Sequence, residues 1–586
     1  MEHTWLAYAF DRAASSDEVE ARLRRVGDHY RDDVAFDLTR RGYAGERHGA
    51  LIWEEAEPAC RWPFWVDEGA LGVASAYVPF GWERVVDESA PERAAVPLAR
   101  SLAADPARVA DLSAPLAMAI HDANAGTLTI VNDAVGVAML YELRFDGGVV
   151  WSNRLGALPL FARMAPRPDP RGWALLAAAG WFIGDTTPIR GVRKVRAGTV
   201  IRVGESGEPQ VEESGALARL VTPRSADPKE TVADAAAQIE ALARASASVW
   251  QDPPELHLSG GRDSRIAAAA AVAEGVDADF VTFDQFPGEA DVARSLAAAS
   301  PRAMRHRVEA LEDASVSGDL RARSLAMHMR FDGLHNTGAL RWPRYAPAAS
   351  PRSALVSGAG GETGHGFYYS SGGAERQTHV SIEKRGVAGP LERLERSARK
   401  GHEVAGDAAY GVMRMQSEAV LARGRRLGLE GAPLLDYFYL VDRFANWAGL
   451  GNTARKCSPF ATPGFIRAAF DLSPEQRLED LLHRELIERL VPEWSGIGFF
   501  EKEDARMPTI LRPRLWDAPR DAEVVEEILR EPSSWSGLFR PKRMRKLWAE
   551  VVSGDGKPQY EQLFQRLVWR VTYDEHLELL GRRAAG

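Results

Sequence analysis

Cysteine is nearly missing from this chain: only Cys60 and Cys457 occur among 586 residues, far apart in sequence. That excludes a disulfide framework and any metal site built on closely spaced thiolates, and it fits a reducing, cytoplasmic setting. Long apolar runs are missing too. Stretches such as Trp173 to Ile183 and Ile266 to Ala273 fall well short of the roughly 20 residues that span a bilayer. The opening Met1-Glu2-His3-Thr4-Trp5 lacks the basic-then-apolar order of a secretory signal. No membrane role is expected. No basic block stands out either. With 73 Lys and Arg against 82 Asp and Glu the formal net charge is -9, so nucleic acid is not an expected partner. Internal repeats and low-complexity segments are absent.

What is present is a globular composition, 45% hydrophobic and 26% charged. The length exceeds what one core usually organises, so two or more domains are expected. The first third reads as strand-rich. Gly147-Gly148 separates the β-prone runs Val137 to Leu143 and Val149 to Ser152 as a hairpin would, and Thr199 to Val203 reads as a further strand. Two prolines with Ser, Asp and Arg between Thr222 and Lys229 mark a linker. The predicted division is 1–221, a linker at 222–231, and 232–586. Helical periodicity then runs from Val232 to Trp250. It is followed by a strand signal at Glu255 to Leu258, a Gly-rich turn and an Ala-rich helix from Arg265 to Glu274. Further strand signals lie at Asp279 to Phe283 and Ala354 to Val356. Strands alternating with helices predict an α/β architecture with a parallel sheet. From about Leu391 the chain reads as mainly helical.

One motif carries chemistry: Ser259-Gly260-Gly261-Arg262-Asp263-Ser264, between a predicted strand and a predicted helix. The glycines allow a tight turn and close backbone approach to a ligand. The N–H groups at the start of the helix form an anion site, to which Ser259 and Ser264 can add hydroxyl donors. Naked phosphate would be repelled by Asp263, so a polyphosphate bridged by Mg²⁺ is the ligand that suits the loop.

The hexapeptide resembles the Ser-Gly-Gly-x-Asp-Ser loop of the ATP pyrophosphatases, the family of asparagine synthetases, β-lactam synthetases and their relatives. Other segments are similar to that family. Glu289-Ala290-Asp291-Val292-Ala293 follows the second strand. Ser357-Gly358-Ala359-Gly360-Gly361-Glu362-Thr363 resembles the family's Ser-Gly-x-Gly-x-Asp-Glu loop, with Glu362 in place of the usual Asp. Tyr439-Leu440-Val441-Asp442-Arg443 and Ser458-Pro459-Phe460 look like the family's Asp-containing helix and Pro-Phe turn. Lys502, after Val491-Pro492, looks like its catalytic lysine. The resemblance implies a doubly wound parallel-sheet ATP pyrophosphatase domain with a helical C-terminal part, and cleavage of ATP between the α and β phosphates to give an acyl-adenylate. It also implies roles: Leu258, Thr282, Ser357 and Gly358 at adenosine, and Ser259, Gly260, Gly261, Asp263, Ser264 and Gly360 at the phosphates. Asp263 and Glu362 would hold Mg²⁺, with Lys502 stabilising charge in the transition state.

Residues 1–221 resemble the family's glutaminase-like β-sandwich (α+β) domain at Gly136-Val137, Leu140-Tyr141, Trp151 to Leu158 and Ile189 to Gly198. The family's nucleophile is a cysteine directly after the initiator Met, where this sequence has Glu2. The glutaminase is therefore expected to be degenerate. Two branches without glutaminase activity are the β-lactam synthetases and the lasso peptide cyclases. Arg455 stands near the position where the former would carry a Glu that supports a base. A peptide α-amine, with a pKa of about 7.7 to 8.0, needs no strong base. The spelling Ser-Gly-Gly-Arg262-Asp-Ser-Arg265 also looks like the cyclase branch. The implied reaction is macrolactam closure: adenylation of an Asp or Glu side chain in a core peptide, then attack by that peptide's N-terminal amine. A leader-peptide protease and a leader-recognition protein are implied as partners, and Tyr368, Tyr369 and Trp447 are candidates for the peptide cavity. Alternatives are an asparagine-synthetase-like or β-lactam-synthetase-like ligase using another amine, and a non-catalytic scaffold of a peptide-processing complex.

Overall fold

The computed structural model describes residues 3–224, 227–284, 288–309, 319–334, 340, 351–369, 389–399, 404–447, 449–500, 514–557 and 560–585. The architecture is mixed α/β, with antiparallel and parallel sheets. In the first part the strands are β1 (Thr4–Phe10), β2 (Leu38–Ala44), β3 (His48–Glu55), β4 (Trp65–Glu68), β5 (Leu71–Ser75), β6 (Ala117–Asp122), β7 (Thr127–Asn132), β8 (Tyr141–Phe145), β9 (Gly148–Ser152), β10 (Val192–Lys194), β11 (Thr199–Val203) and β12 (Pro209–Glu213). They form two six-stranded antiparallel sheets, ordered β10-β8-β9-β1-β3-β2 and β12-β11-β7-β6-β5-β4.

The period-2 alternation of β1 explains the layering. Trp5, Ala7 and Ala9 enter one apolar cluster with Ala74, Ala119 and Ile130 of the other sheet. Leu6, Tyr8 and Phe10 point the other way, into a cluster with Val19, Leu23 and Val26 of the helix Ser16–Tyr30. Two sheets thus face each other, with helices outside. The hairpin forms at Gly147-Gly148 as predicted, but β8 begins at Tyr141, not Val137. The reason is local. The Asp133 carboxylate accepts from the N–H groups of Val135, Gly136, Val137 and Ala138 at 2.6 to 3.1 Å, winding them into a turn.

Beyond the break in regular structure after Val221, a helix runs over Pro228–Val249, so part of the predicted linker is helical. Five strands follow: β13 (Glu255–His257), β14 (Asp279–Phe283), β15 (Arg305–Glu309), β16 (Leu355–Val356) and β17 (Lys456–Cys457). All pair in parallel, in the order β15-β14-β13-β16-β17. The chain leaves β13 for β14 on one side and later returns to β16 on the other. That change of direction opens a crevice at the carboxyl ends of β13 and β16, where ligands of open α/β sheets bind. The helix after β13 spans Arg262–Glu274, three residues longer at its start than predicted. Buried Ala267 to Ala271 pack it on the sheet, and Gly275 ends it at φ 65.

Buried polar contacts tie the parts together. Arg154 lies between Asp33 and Asp332, 3.1 Å from each. Lys194 donates to the Ala445 carbonyl at 3.0 Å and to Asn446 Oδ1 at 2.7 Å. Among the described residues no helix is long and apolar enough to cross a membrane.

Candidate functional site

The loop after β13 is braced before it turns. Leu258 N–H donates to the Val281 carbonyl at 2.8 Å, and Thr282 Oγ1 donates to the Leu258 carbonyl at 2.5 Å. Thr282 Oγ1 also meets His306 Nε2 at 2.8 Å, so its hydroxyl is committed inside the sheet. Ser259 and Ser264 cross-brace the turn. Their hydroxyls lie 2.7 Å apart, and Ser264 Oγ accepts from Ser259 N–H at 3.0 Å. Gly261 N–H donates to Ser259 Oγ at 3.2 Å. No side chain caps the helix that starts at Arg262. Its first-turn N–H groups have no partner within the helix, which is the setting that binds anions.

The second loop, after β16, packs directly on this turn. A Cβ on Gly361 would stand 2.2 Å from Asp263 Oδ1, and one on Gly358 3.1 Å from Ser264 N. Gly360, at φ +100, lets the loop turn back beneath the ring of Phe444. Ser357 Oγ accepts from Ala359 N–H at 3.2 Å, and Ser458, at the start of the Pro459-Phe460 turn, donates to the Ala359 carbonyl at 2.7 Å. The predicted residues Asp263, Glu362, Gly358, Gly360 and Ser357 therefore meet at one crevice with Ser259 and Ser264.

The electrostatics are those of crowded acids. Burial pushes the Glu362 carboxyl above the usual carboxylate range, and the Asp263 charge pushes it further. Tyr439 Oη, donating to Glu362 Oε2 at 2.5 Å, and the Arg443 charge work against that. His483 Nε2 lies 3.0 Å from Asp263 Oδ1, and its Nδ1 lies 3.1 Å from Asp480 Oδ1. Arg262 pairs with the other oxygen of Asp480 at 3.2 Å. Burial lowers the affinity of the His483 imidazole for its proton, but the two carboxylates win and raise its pKa to about 9. A folded-state pKa above the ordinary 6.5 gives stability that is complete below 6.5 and lost as pH rises through about 9. Thermal unfolding of the metal-free protein should show that loss across the window, and His483→Gln should flatten it.

The residues fit a metal ion that arrives with phosphates. Two close carboxylates on neighbouring strand ends match the one or two by which Mg²⁺ is usually held, its other positions going to phosphate oxygens and water. Among the described residues no three or more His, Cys, Asp or Glu side chains are grouped to cage a metal without such help.

An arginine near a helix start is usually a surface charge, but Arg265 is not. Arg265 is buried, donating to the carbonyls of Ile497 at 2.5 Å and Gly498 at 2.8 Å, with Phe499 stacked at 4.5 Å. Phe500 N–H donates to the Gly260 carbonyl at 2.8 Å. Residues 497–500 are thereby fastened to the loop. Lys502 lies outside the described residues. Arg265→Met should cost about 2–4 kcal/mol in a urea titration, since it removes two charge-assisted hydrogen bonds in the interior, and should expose 497–500 to proteolysis.

Asp442 does not reach the crevice. It accepts from Trp181 Nε1 at 2.9 Å and Gly184 N–H at 2.6 Å. Of the aromatic candidates, Tyr368 and Trp447 line a cavity, whereas Tyr369 is hydrogen-bonded to Asp436. The roles of His483, Asp480 and Tyr439 were not foreseen. The one sequence signal for the first two is the Asp480-x-x-His483 spacing, an acid just before the helix Leu481–Leu490 and a histidine in its first turn.

No protein-family model matches the chain, and no curated protein matches it. Solved structures similar to part of it include two enzymes. One is described as the allosteric regulatory enzyme of purine biosynthesis, with 11% identity and a TM-score of 0.22, covering 53% of this chain and 80% of that one. The other is glutamine phosphoribosylpyrophosphate amidotransferase from B. subtilis complexed with ADP and GMP, with 11% identity and a TM-score of 0.20, covering 52% of this chain and 81% of that one. At those TM-scores neither bears on what this chain does.

Proposed function

We propose that this chain is an AMP-forming carbon–nitrogen ligase of the asparagine-synthetase type that closes a macrolactam in a core peptide. The observation that carries the reading is the meeting of Asp263, on the uncapped helix start after β13, with Gly361 and Glu362 on the loop after β16. In this reading residues 1–221 are a glutaminase-type fold without its nucleophile. Both cysteines are buried, and burial pushes the Cys457 thiol up to about 12, so neither supplies a thiolate.

Mg-ATP supplies an electrophilic phosphorus and a pyrophosphate leaving group. Ser259, Ser264 and the N–H groups of the helix start would bind the phosphates, and Asp263 and Glu362 would hold the metal ion between them. Tyr439 would orient Glu362 through the hydrogen bond it already makes. By the family resemblance alone, Lys502 would stand at the reacting phosphate. A lysine there would offset charge growing on the acyl and phosphate oxygens. The balance is one carboxylate and one amine joined as an amide, with ATP leaving as AMP and pyrophosphate.

The test is incubation of the full chain with Mg-ATP and peptides that carry a free N-terminus and one internal Asp or Glu. Peptides lighter by one water, with equimolar AMP, are the expected products. AMP with no dehydrated peptide would move the reading to another amine. Failure to bind Mg-ATP would leave the scaffold reading in its place.

A further inference from the structure

A cavity of about 330 Å³ lies beside the crevice. It is walled by the end of the helix Pro170–Ala179, the helices Pro390–Arg399 and Asp407–Arg426, and the long C-terminal helix Glu561–Ala585. Two guanidinium groups reach its wall, from Arg443 and Arg566, and among the described residues no Asp or Glu lines it. Arg566 comes so close to Gly180 that a Cβ there would sit 2.4 Å from its Nη2. Among the described residues neither arginine has a carboxylate within ion-pairing distance.

Arg443 is held without being neutralised. Its guanidinium lies 4.9, 4.8 and 4.6 Å from the ring centres of Trp181, Phe367 and Trp447. Stacking on aromatic faces fixes the plane of a guanidinium and leaves its in-plane N–H donors for a ligand. Two further polar groups on the wall are buried and unsatisfied. Among the described residues the Tyr368 hydroxyl, 5% exposed, meets only the Arg443 guanidinium, too loosely for a full hydrogen bond. Ser417 is 1% exposed, and among the described residues its hydroxyl has no partner. Buried donors without acceptors, and paired cations without an anion, are costly in an empty protein. Burial, aided by the Arg443 charge, pushes the Arg566 pKa down to about 10.

We propose that this cavity binds a carboxylate with an apolar or aromatic body, its carboxylate held between Arg443 and Arg566 and its body against Tyr368, Phe438 and Trp447. Resting on the ligase reading, this ligand is the acid substrate before activation, because Arg443 shares the helical turn Tyr439–Phe444 with Tyr439, which bonds Glu362. Ser417 and Tyr368 supply neutral hydrogen bonds that add selectivity to the charge.

The test uses the full chain without nucleotide, titrated calorimetrically with N-acetylphenylalanine, its neutral amide, and inorganic phosphate. The acid should bind about tenfold or more tighter than the amide, the usual margin for charge-assisted hydrogen bonds, and tighter than phosphate. Arg566→Met should bring acid and amide within about twofold of each other while leaving the melting temperature unchanged or higher, since it removes a half-buried cation with no carboxylate partner among the described residues. Should that variant fail to fold, Ser417→Ala, which removes only a hydroxyl from the helix Asp407–Arg426, should weaken the acid alone. No binding of the acid, equal binding of acid and amide by the wild type, phosphate binding as tightly as the acid, or an undiminished preference in folded Arg566→Met would each overturn the assignment. Mg-ATP binding measured on the same preparation separates the two conclusions. Acid preference without nucleotide binding keeps this site and removes the ligase reading, and the reverse result does the opposite.

Discussion

Asp263→Ala should lower AMP formation by about a thousandfold or more, the loss expected when a metal-holding or charge-stabilising group is taken from the reacting phosphates. Three independent features of the position lead there. Asp263 is in the first turn of an uncapped helix, its carboxylate touches the glycine-rich loop after β16, and its charge raises the pKa of Glu362. A carboxylate with only a structural role gains nothing from a like charge beside it. The cost in stability should be small by comparison, because Asp263 is partly exposed and its partner His483 keeps Asp480. Glu362→Gln gives a second reading of the same site. It should also lose activity, yet leave the metal-free protein as stable or more so, because a buried charge held beside another of like sign is removed. AMP formation by Asp263→Ala within tenfold of wild type would sink the metal role for both residues.

The parts of this site legible in the sequence are those that depend on neighbours along the chain. The turn Ser259-Gly260-Gly261 between β13 and a helix could be read because strand, glycines and alanine run are contiguous. The helix start was misplaced for a local reason as well. Gly-Gly-Arg-Asp-Ser has the composition of a turn, but an acidic residue in the first turn suits the helix dipole, so Arg262 to Ser264 are wound into the helix. What could not be read is what arrives from far along the chain. His483 lies 220 positions beyond Asp263 in number and carries no motif, and Tyr439 reaches Glu362 from a π-helical turn, Tyr439–Phe444. Arg265 shows the limit most directly. Composition places an arginine at a helix start on the surface, whereas packing of 497–500 over the loop buries it. Its charge is met by backbone carbonyls, which no side-chain pattern reveals.

Gly361→Ala should cut AMP formation by about a hundredfold with little change in melting temperature, since a displacement near 1 Å of a positioned group is enough for such a loss. The backbone at Gly361 does not need glycine for its conformation, so the effect is purely one of space. An added methyl would stand 2.2 Å from Asp263 Oδ1 and 2.4 Å from its Cγ, far inside contact distance. Asp263 must swing away, toward solvent and out of line with Glu362, and its ion pair with His483 must lengthen. Gly358→Ala is the matched comparison on the same loop. Its methyl would meet Ser264 N at 3.1 Å and Asp263 Cβ at 3.3 Å, which a shift of a few tenths of an ångström relieves. Its loss should be several times smaller. Measuring both variants for AMP formation and for Mg-ATP affinity separates crowding of the carboxylate from a general disturbance of the loop. If Gly361→Ala forms AMP at the wild-type rate, the carboxylate is not needed where it stands, and the pairing of Asp263 with Glu362 is structural.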